Sequence, residues 1–484
     1  MLMKNRINIS DSVKSGVIHV VSSILSNGLA IITVPIFTRI MPSSEVGLVN
    51  LFISWYAILN GVVTLGLTSG GLTMSLKTFC NEKNQYLSSI LSITTISALV
   101  VDILLFTFID FFSDLFRMPT NLIVLMAVCF LFNPAYDFWL VKQRYEYKYK
   151  LSGTLMISSS ILASLLAVLA VLKLPNDSVF TYAEARLFGT YSVTLSIALI
   201  IWLVIFIKGK TFVNIRYWTY SLKLSLPLVG QMLAVQILGF SDRIMIEKYC
   251  GKSQVGIYGT IYTIGTLTTM LWTAINGTFT PYIYKNIEEN GRLVKKNSFL
   301  IILFFSLVSI IVVLFGPEIA KIVGPEEYYM GVYIIPPAAT GVYLVAIGDL
   351  YSDLLIYAKK TKYIMFGTII GATLNILLNA VFIPRYGYIV AAFTTLFSYI
   401  IMTIMLVFFA RKIYKNQKIQ IDDVFAQYKI LMCTILTIII NLICMMTYGN
   451  NIIRYLLIVI VFGMIALFMK KYRVFNTLRE MICQ

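Results

Sequence analysis

The sequence predicts an all-α polytopic membrane protein with about fourteen transmembrane helices. Of its 484 residues, 58% are hydrophobic and only 13% are charged, and the mean hydropathy is +0.84. A soluble chain has about a quarter of its residues charged. Apolar runs of about 20 residues, each long enough to cross the bilayer core of roughly 30 Å, recur along the whole chain. These observations exclude a soluble globular protein.

The apolar runs place the predicted helices in order along the chain. The first run, residues 16–36, has no small-residue cleavage site, so we expect a permanent helix and not a signal peptide. The predicted helices span residues 15–38, 46–70, 87–112, 121–141, 151–173, 181–207, 220–248, 255–281, 298–323, 331–357, 363–383, 389–410, 427–447 and 452–469.

The positive charge is distributed unevenly between the two ends of these helices. The chain has a net charge of +17 and 39 Lys and Arg residues. The N-terminal tail, the loops after even-numbered helices and the C-terminal tail hold 29 of them, and the opposite side holds eight. Basic loops resist translocation, so we expect the basic side, with both termini, to be cytoplasmic. Membrane topology thus accounts for the charge, and no nucleic acid partner is predicted.

An internal repeat relates the two halves of the chain at an offset of 209 residues. The segment "PSSEVGL" at Pro42 falls on "GKSQVGI" at Gly251, and Pro175 falls on Pro384 in the same ungapped register. The repeat predicts two six-helix units of equal orientation that enclose a cleft, as in alternating-access transporters. The predicted domains are an N-terminal lobe (1–210), a C-terminal lobe (211–412), and an additional hairpin with a basic cytoplasmic tail (413–484).

The residue types needed for metal binding or hydrolytic catalysis are scarce. The six Cys are scattered without paired spacing, and His19 is the single histidine. A zinc site, a disulfide framework and a Ser-His-Asp triad are therefore not expected. No external loop is large enough for a catalytic domain. We predict no catalytic residues, no metal and no cofactor, and a protein that is not an enzyme.

Three stretches resemble one family of bacterial membrane proteins. They are "FTRIMPSSEVGLVNLF" (37–52), "SDRIMIEKYCGKSQVGIYGTIYTIG" (241–265) and "TLNILLNAVFIPRYGYIVAAFTTLFSYIIM" (373–402). The first two resemble connections between helices 1–2 and 7–8 of polysaccharide transporters, and the third resembles helices 11–12. The chain is similar to the Wzx-type O-antigen/repeat-unit flippases. Their superfamily also includes multidrug-toxin extruders and lipid II flippases.

The resemblance implies a function, a location and partners. Such flippases have two six-helix lobes around a central cationic cavity. They carry undecaprenyl-pyrophosphate-linked oligosaccharides for O-antigen, lipopolysaccharide, capsule or exopolysaccharide synthesis from the cytoplasmic to the periplasmic or outer leaflet. The implied location is the bacterial cytoplasmic (inner) membrane. The implied partners are this lipid-linked substrate, membrane lipids, H⁺ or Na⁺ as a coupling ion, a polysaccharide polymerase and a chain-length regulator.

Arg243 and Arg186 are the leading candidates for substrate contacts. Apart from Arg454 in the first turn of the predicted helix 452–469, they are the two arginines inside predicted helices, and both lie towards the external side. Arginine suits a pyrophosphate because it is always charged and can bind phosphate through two nitrogens. Arg243 has two alternatives: it lies roughly 7.5 Å from the helix end, within reach of the headgroups, and it could pair with Glu247. Arg186 could pair with Glu184.

Other polar residues of the predicted helix 220–248 form two neighbouring stripes. Gln231 and Asp242 are three turns apart on one stripe, and Gln236 and Arg243 lie on the second. Adjacent residues of a helix project about 100° apart, so Asp242 and Arg243 are expected to point in different directions. A broad polar sector of this kind suits a helix that lines a wet cleft. Asp242, Gln231 and Gln236 are therefore further candidate substrate contacts.

Four acids are candidates for ion coupling or gating. Asp349 and Asp353 are one turn apart on the predicted helix 331–357, where like charges repel unless a proton or cation relieves them. Alternatively, they line a hydrated cytoplasmic mouth balanced by nearby lysines. Asp102 and Asp137 lie inside other predicted helices. Each is either the partner of a cavity arginine or a buried neutral acid.

Three other functions remain open at this stage. A lipid II flippase and a cation-coupled multidrug extruder belong to the same superfamily. Fourteen helices argue against the extruders, which typically have twelve, and the lipid II flippases carry further arginines in their first helices. A membrane polysaccharide polymerase or ligase needs a sizeable external loop with basic residues, which this sequence lacks.

Overall fold

The computed structural model describes residues 11–68, 71–175, 177–415, 417 and 420–472, and every regular element in these ranges is helical. The first ten residues and the basic tail after residue 472, which were assigned to the cytoplasm, lie outside the described residues.

The first half of the chain forms eight helices in the described ranges. They are α1 (Asp11–Ile40), α2 (Ser43–Val63), α3 (Gly71–Thr78), α4 (Lys83–Thr107), α5 (Ile109–Phe116), α6 (Thr120–Tyr145), α7 (Tyr149–Leu172) and α8 (Tyr182–Gly209).

The second half adds eleven α-helices and two short 3₁₀ helices (Glu326–Ile334 and Thr447–Gly449). The α-helices are α9 (Ile215–Cys250), α10 (Lys252–Gly265), α11 (Thr268–Asn286), α12 (Gly291–Leu314), α13 (Gly316–Val323), α14 (Ile335–Tyr357), α15 (Lys362–Tyr386), α16 (Val390–Tyr414), α17 (Ile421–Val424), α18 (Gln427–Met446) and α19 (Asn451–Tyr472).

The described helices agree with a polytopic membrane protein of about fourteen helices. Eleven of them are long and apolar enough to cross a membrane by length and composition. Two further apolar helical stretches, Ile31–Ile40 and Asn451–Val461, belong to α1 and α19. The remaining predicted segment, 255–281, is occupied by α10 and α11. The prediction of an all-α membrane fold is confirmed.

Three predicted helices are each divided into two. The segment 87–112 is broken at Phe108, 255–281 between Gly265 and Thr268, and 298–323 at Phe315. At the second break the chain tightens through an i→i+3 hydrogen bond from Leu267 N to the Ile264 carbonyl, 3.2 Å long. Apolar character continues through each break, so hydropathy alone does not reveal it.

Side-chain caps fix the starts of α8 and α9, the two helices that carry Arg186 and Arg243. Thr181 and Glu184 form a reciprocal capping box at the start of α8. Asn214 caps α9 by accepting hydrogen bonds from the Arg216 and Tyr217 backbone nitrogens, 3.1 and 3.3 Å away. Thr181 and Asn214 therefore mark the N-terminal ends of α8 and α9.

Packing divides the chain into two compact units, as far as it is described. The first unit comprises residues 1–259 and 368–388, and the second comprises residues 260–367 and 389–484. In the first unit α1 packs on α7, α7 and α6 pack on α8, and α2 packs on α9. In the second unit α14 packs on α16 and α12, and α12 also packs on α18. The division into lobes at 210 and 412 stays a prediction.

Within the first unit, the starts of α2 and α10 cross at backbone contact. A Cβ atom on Gly47 would collide with the Lys252 carbonyl and lie 3.1 Å from Gly256 N, and one on Gly256 would collide with the Ser43 carbonyl. Ser43 Oγ and Ser253 Oγ are hydrogen-bonded at 2.6 Å. Gly47 and Gly256, like Ser43 and Lys252, are related by the repeat offset of 209. The crossing is therefore a local symmetric contact between the two repeats.

Candidate functional site

Asp242 and Arg243 form a buried salt bridge near the C-terminal end of α9. Their residues are 1% and 8% exposed, and Arg243 Nη1 lies 3.1 Å from Asp242 Oδ1. The same carboxylate oxygen accepts the Arg243 backbone N–H at 2.8 Å, and the other accepts the Tyr258 hydroxyl. A partly desolvated arginine with a fixed counter-charge thus lies inside the first unit.

The expectation that Asp242 and Arg243 point in different directions is wrong. Arg243 Nη1 also donates to the Gly239 carbonyl, one turn back, at 2.8 Å. Helical geometry fixes the Cα–Cβ directions of the two residues, but the arginine side chain is long enough to fold back along the helix. The guanidinium therefore reaches the neighbouring carboxylate although the two residues start on different stripes.

Aromatic rings flank the Arg243 guanidinium. Its central carbon lies 5.4 Å from the Phe240 ring centre and 5.8 Å from that of Tyr258. Both distances are within the range of cation–π attraction. Tyr258 therefore contacts the pair twice, with its hydroxyl on Asp242 and its ring near Arg243.

Glu247, one turn further along α9, forms its salt bridge with Arg117. Arg117 Nε and Nη1 lie 3.1 and 3.4 Å from the two carboxylate oxygens of Glu247. Arg117 follows α5 in a left-handed backbone conformation with φ of 54°. The sequence places Arg117 in a predicted external loop. Its pairing with Glu247 cannot be inferred from spacing, because the two residues are 130 positions apart. Glu247 thus pairs with Arg117, whereas the alternative from the sequence paired it with Arg243.

Arg186 lies on α8 and contacts α1. Its guanidinium carbon is 3.9 Å from the centre of the Phe37 ring. Glu184, the alternative partner, caps α8 and accepts a hydrogen bond from Asn121 Nδ2 at 3.0 Å. The candidate arginines thus contact different elements of the first unit.

Gln231 and Gln236 lie on α9 and are both half-buried. In the same unit, Ser241 Oγ donates to Asn375 Oδ1 at 3.2 Å, and Asn379 Nδ2 donates to that oxygen at the same distance. Both asparagines are fully buried. The Ser241–Asn375 hydrogen bond joins α9 to α15, as expected of polar residues between membrane helices, and Asn379 supports Asn375 from the same helix.

In the second unit, side chains of α11 donate hydrogen bonds to Asp349 and Asp353, the two acids of α14. Trp272 Nε1 donates to Asp349 Oδ2 and Thr280 Oγ1 donates to Asp353 Oδ2, each at 2.7 Å. Tyr284 adds a hydrogen bond to the Asp353 backbone carbonyl at 3.2 Å. Trp272, Thr280 and Tyr284 share one face of α11 because they are spaced by eight and four residues.

Asp102 and Asp137 have contrasting surroundings in the first unit. Asp102, on α4, is 3% exposed, and neither of its oxygens has a hydrogen-bond partner among the described residues. Ala98 and Leu105, one turn away on either side, belong to the apolar core. Asp137, on α6, is half-buried, and the charge of Arg144 two turns along the helix acts on it. No cluster of potential metal ligands occurs within the described ranges.

A family model described as polysaccharide biosynthesis protein matches residues 12–287, more than half of the chain. The chain belongs to this polysaccharide biosynthesis protein family. A second model, MatE, matches residues 227–381. No curated protein sequence matches the chain significantly.

Solved transporters share the fold of this family member at low sequence identity. The lipid II flippase MurJ, in an inward closed conformation, is 14% identical with a TM-score of 0.69, covering 93% of this chain and 98% of its own. An inward-facing multidrug resistance MATE family transporter of the MOP superfamily is 16% identical with a TM-score of 0.56, covering 81% and 96%. A MOP superfamily transporter from Pyrococcus furiosus is 16% identical with a TM-score of 0.58, covering 83% and 96%.

Proposed function

We propose that this protein flips undecaprenyl-pyrophosphate-linked oligosaccharides across the bacterial cytoplasmic membrane by alternating access. One observation carries the proposal: the chain belongs to the polysaccharide biosynthesis protein family, whose model matches residues 12–287. The fold of a lipid flippase covers 93% of the chain and that of a MATE transporter covers 81%, which supports a lipid substrate without distinguishing between lipid-linked substrates. Proposed partners are a polysaccharide polymerase and a chain-length regulator, with the two lobes predicted at 1–210 and 211–412 as the moving parts.

In this proposal Arg243 binds the pyrophosphate of the substrate. Asp242 holds the guanidinium in the absence of substrate, and Tyr258 orients Asp242 through its hydroxyl. A diphosphate offers stronger charge-assisted acceptors than one carboxylate, so it competes for the arginine nitrogens. Gln231 and Gln236 on the same helix, with Arg186 on α8, are proposed to contact the rest of the headgroup.

The test must separate substrate binding from structural pairing. Arg243→Ala alone leaves Asp242 buried without a counter-charge, which by itself can destabilise the fold. We therefore compare Arg243→Ala, Arg243→Lys and the neutral double variant Asp242→Asn/Arg243→Gln. Each is expressed in a strain lacking its repeat-unit flippase, and surface polysaccharide and membrane protein abundance are measured.

The proposal predicts that the neutral double variant restores abundance but not export. Loss of one charge-assisted phosphate contact corresponds to a roughly ten- to hundredfold decrease in transport. Arg243→Lys is expected to retain partial export because it keeps the charge without the planar fork. Wild-type export from the double variant would show that Arg243 has only a structural role.

A lipid II flippase is the second candidate, and the TM-score of 0.69 to such a protein favours it. Complementation distinguishes the two. Rescue of growth in a strain depleted of its lipid II flippase, without rescue of polysaccharide export, would establish the second candidate. A multidrug extruder instead predicts increased efflux of cationic dyes from cells that express the chain.

We further propose that Asp349 and Asp353 bind the coupling ion. They lie one turn apart and are hydrogen-bonded by neutral donors of α11, so either a proton or Na⁺ would relieve their repulsion. Asp102 and Asp137 remain proposed gating or coupling acids of the first unit. The coupling proposal is tested first on the two acids of α14.

Asparagine is the matched substitution at both α14 positions because its carbonyl oxygen still accepts from Trp272 and Thr280. Asp349→Asn/Asp353→Asn is expected to abolish the dependence of transport on pH or Na⁺, while Asp114→Asn, an exposed acid of α5, leaves it intact. Flux measured in vesicles with imposed H⁺ or Na⁺ gradients checks this. An unchanged gradient dependence in the double variant excludes the pair as the coupling site.

A further inference from the structure

A cavity of about 650 Å³, lined by polar side chains together with Leu72 and Val141, lies in the first unit between the end of α6, Thr68 and the start of α3. Its residues come from the ends of helices that the distribution of Lys and Arg places on the cytoplasmic side. One arginine and four hydroxyl-bearing side chains contribute to its lining. These are Arg144, Thr68, Thr73, Tyr145 and Tyr147.

Local structure brings these groups to one place. Arg144 and Tyr145 are in the last turn of α6, and the chain leaves that helix through Tyr147, whose φ is 56°. This left-handed residue reverses the chain direction before α7 begins. Thr73, near the start of α3, lies opposite because α3 packs on α6. The cavity is therefore built by two packed helices and a turn.

The guanidinium of Arg144 is not committed to another group. Arg144 makes no hydrogen bond or salt bridge within the described part of the chain. The acid whose charge acts on it is Asp137, two turns deeper on α6. Seven residues of helix separate the two positions by about 10.5 Å along the axis, and among the described residues their side chains form no salt bridge. The five N–H donors of this arginine are thus available to a ligand.

Further cations surround this end of α6. The charges of Lys83, Lys148 and Lys208 all act on Lys142, and the Lys83 ammonium lies 5.0 Å from the Tyr145 ring centre. The nearby acid, Glu146, is bound by Lys148 Nζ at 2.6 Å. Burial alone would raise the pKa of Glu146, but the Lys148 hydrogen bond and the lysine charges lower it overall. Glu146 therefore stays ionised and still leaves an excess of positive charge.

We infer that the cavity around Arg144, here called the Arg144 cavity, is a binding site for a phosphate-type headgroup. Arginine nitrogens and hydroxyl donors are the groups that proteins use for phosphate oxygens, and surrounding lysines raise the local concentration of anions. Resting on the proposed function, the ligand is the lipid-linked diphosphate, which docks here before it reaches Arg243. An anionic phospholipid headgroup has the same chemistry and is distinguished by the test.

The test measures binding to the purified full-length protein in detergent. The probes are undecaprenyl pyrophosphate and phosphatidylglycerol, and native mass spectrometry quantifies the bound fraction. The cavity variants are Arg144→Gln, Arg144→Lys and Thr73→Val. The control is Lys150→Gln, which removes one exposed positive charge at the same end of the molecule but outside the cavity. Thermal unfolding of each variant confirms that it is folded.

Arg144→Gln is expected to weaken undecaprenyl pyrophosphate binding at least about tenfold, with smaller losses for Arg144→Lys and Thr73→Val and none for Lys150→Gln. A loss confined to phosphatidylglycerol supports the anion site and identifies its ligand as a membrane lipid. If Arg144→Gln binds both probes as tightly as wild type does, the proposed site is wrong. It is also wrong if Lys150→Gln loses as much binding as Arg144→Gln.

This result is independent of transport. If the Arg144 cavity fails the binding test while the Arg243 variants lose export, the flippase proposal stands without this docking step. If Arg144→Gln loses binding but the protein restores no export in cells, the anion site stands and the proposed function fails.

Discussion

At the residue scale, the sequence predicts which charged residues of α9 are buried more reliably than it predicts the groups they contact. Asp242 and Arg243 were selected because they interrupt an apolar helix, and both are buried. Their mutual salt bridge was not predicted, because it depends on the conformation of a long side chain. Tyr258 and Arg117, which bind Asp242 and Glu247, were not selected either. Contacts between distant residues leave no signal in the spacing of a single sequence.

The Asp242–Arg243 pair makes a prediction about stability. Asp242→Ala leaves the Arg243 guanidinium without its counter-charge, and we expect a loss of about 3–5 kcal/mol in the free energy of unfolding. Tyr258→Phe removes one hydrogen bond to the carboxylate but keeps the ion pair, and it should cost less, about 1.5–3 kcal/mol. Chemical unfolding in detergent measures both. Equal stability of Asp242→Ala and wild type would contradict the buried ion pair.

At the scale of elements, hydropathy predicts where helices lie but not where they break. The divisions at Phe108, Gly265–Thr268 and Phe315 occur inside continuous apolar segments. Repeat comparison did align Gly47 with Gly256, but their contact could not be inferred from alignment. It depends on α2 and α10 crossing at backbone distance, which is a property of packing.

The crossing of α2 and α10 makes a second prediction. Gly47→Ala and Gly256→Ala each place a Cβ atom on a backbone carbonyl, which cannot move aside as a side chain can. We expect lower abundance and a lower unfolding temperature for both variants. Gly239→Ala, on α9, is the matched control because a Cβ atom there meets no atom within 4 Å. Wild-type stability of Gly47→Ala would contradict the close crossing.

At the scale of the whole molecule, composition is sufficient to predict the fold class. The three sequence stretches that resemble polysaccharide transporters are sufficient to predict the family. Apolar runs of membrane-spanning length are a property of the bilayer, so they survive when sequence identity falls to 14%. The candidate site was predicted less completely. From the sequence, Arg144 contributes only to the difference in positive charge between the two sides of the membrane. Nothing in the sequence indicates that α3 and α6 enclose a cavity around it.

Topology is tested by fusions in the loops. The excess of Lys and Arg predicts that alkaline phosphatase fused after residue 177 is external and active, whereas the enzyme fused after residue 210 is cytoplasmic and inactive. The reverse pattern would invert the proposed orientation and would place the Arg144 cavity on the external side.

The central claim is that this chain moves a lipid-linked oligosaccharide between leaflets. The most direct measurement reconstitutes the purified protein into vesicles that contain an undecaprenyl-pyrophosphate oligosaccharide in both leaflets. Enzymatic modification of the sugar exposed outside then follows its movement. The account predicts complete modification with wild-type protein and only the outer-leaflet fraction with the folded Asp242→Asn/Arg243→Gln variant. Modification by wild type that stops at the outer-leaflet fraction, as in protein-free vesicles, would contradict it.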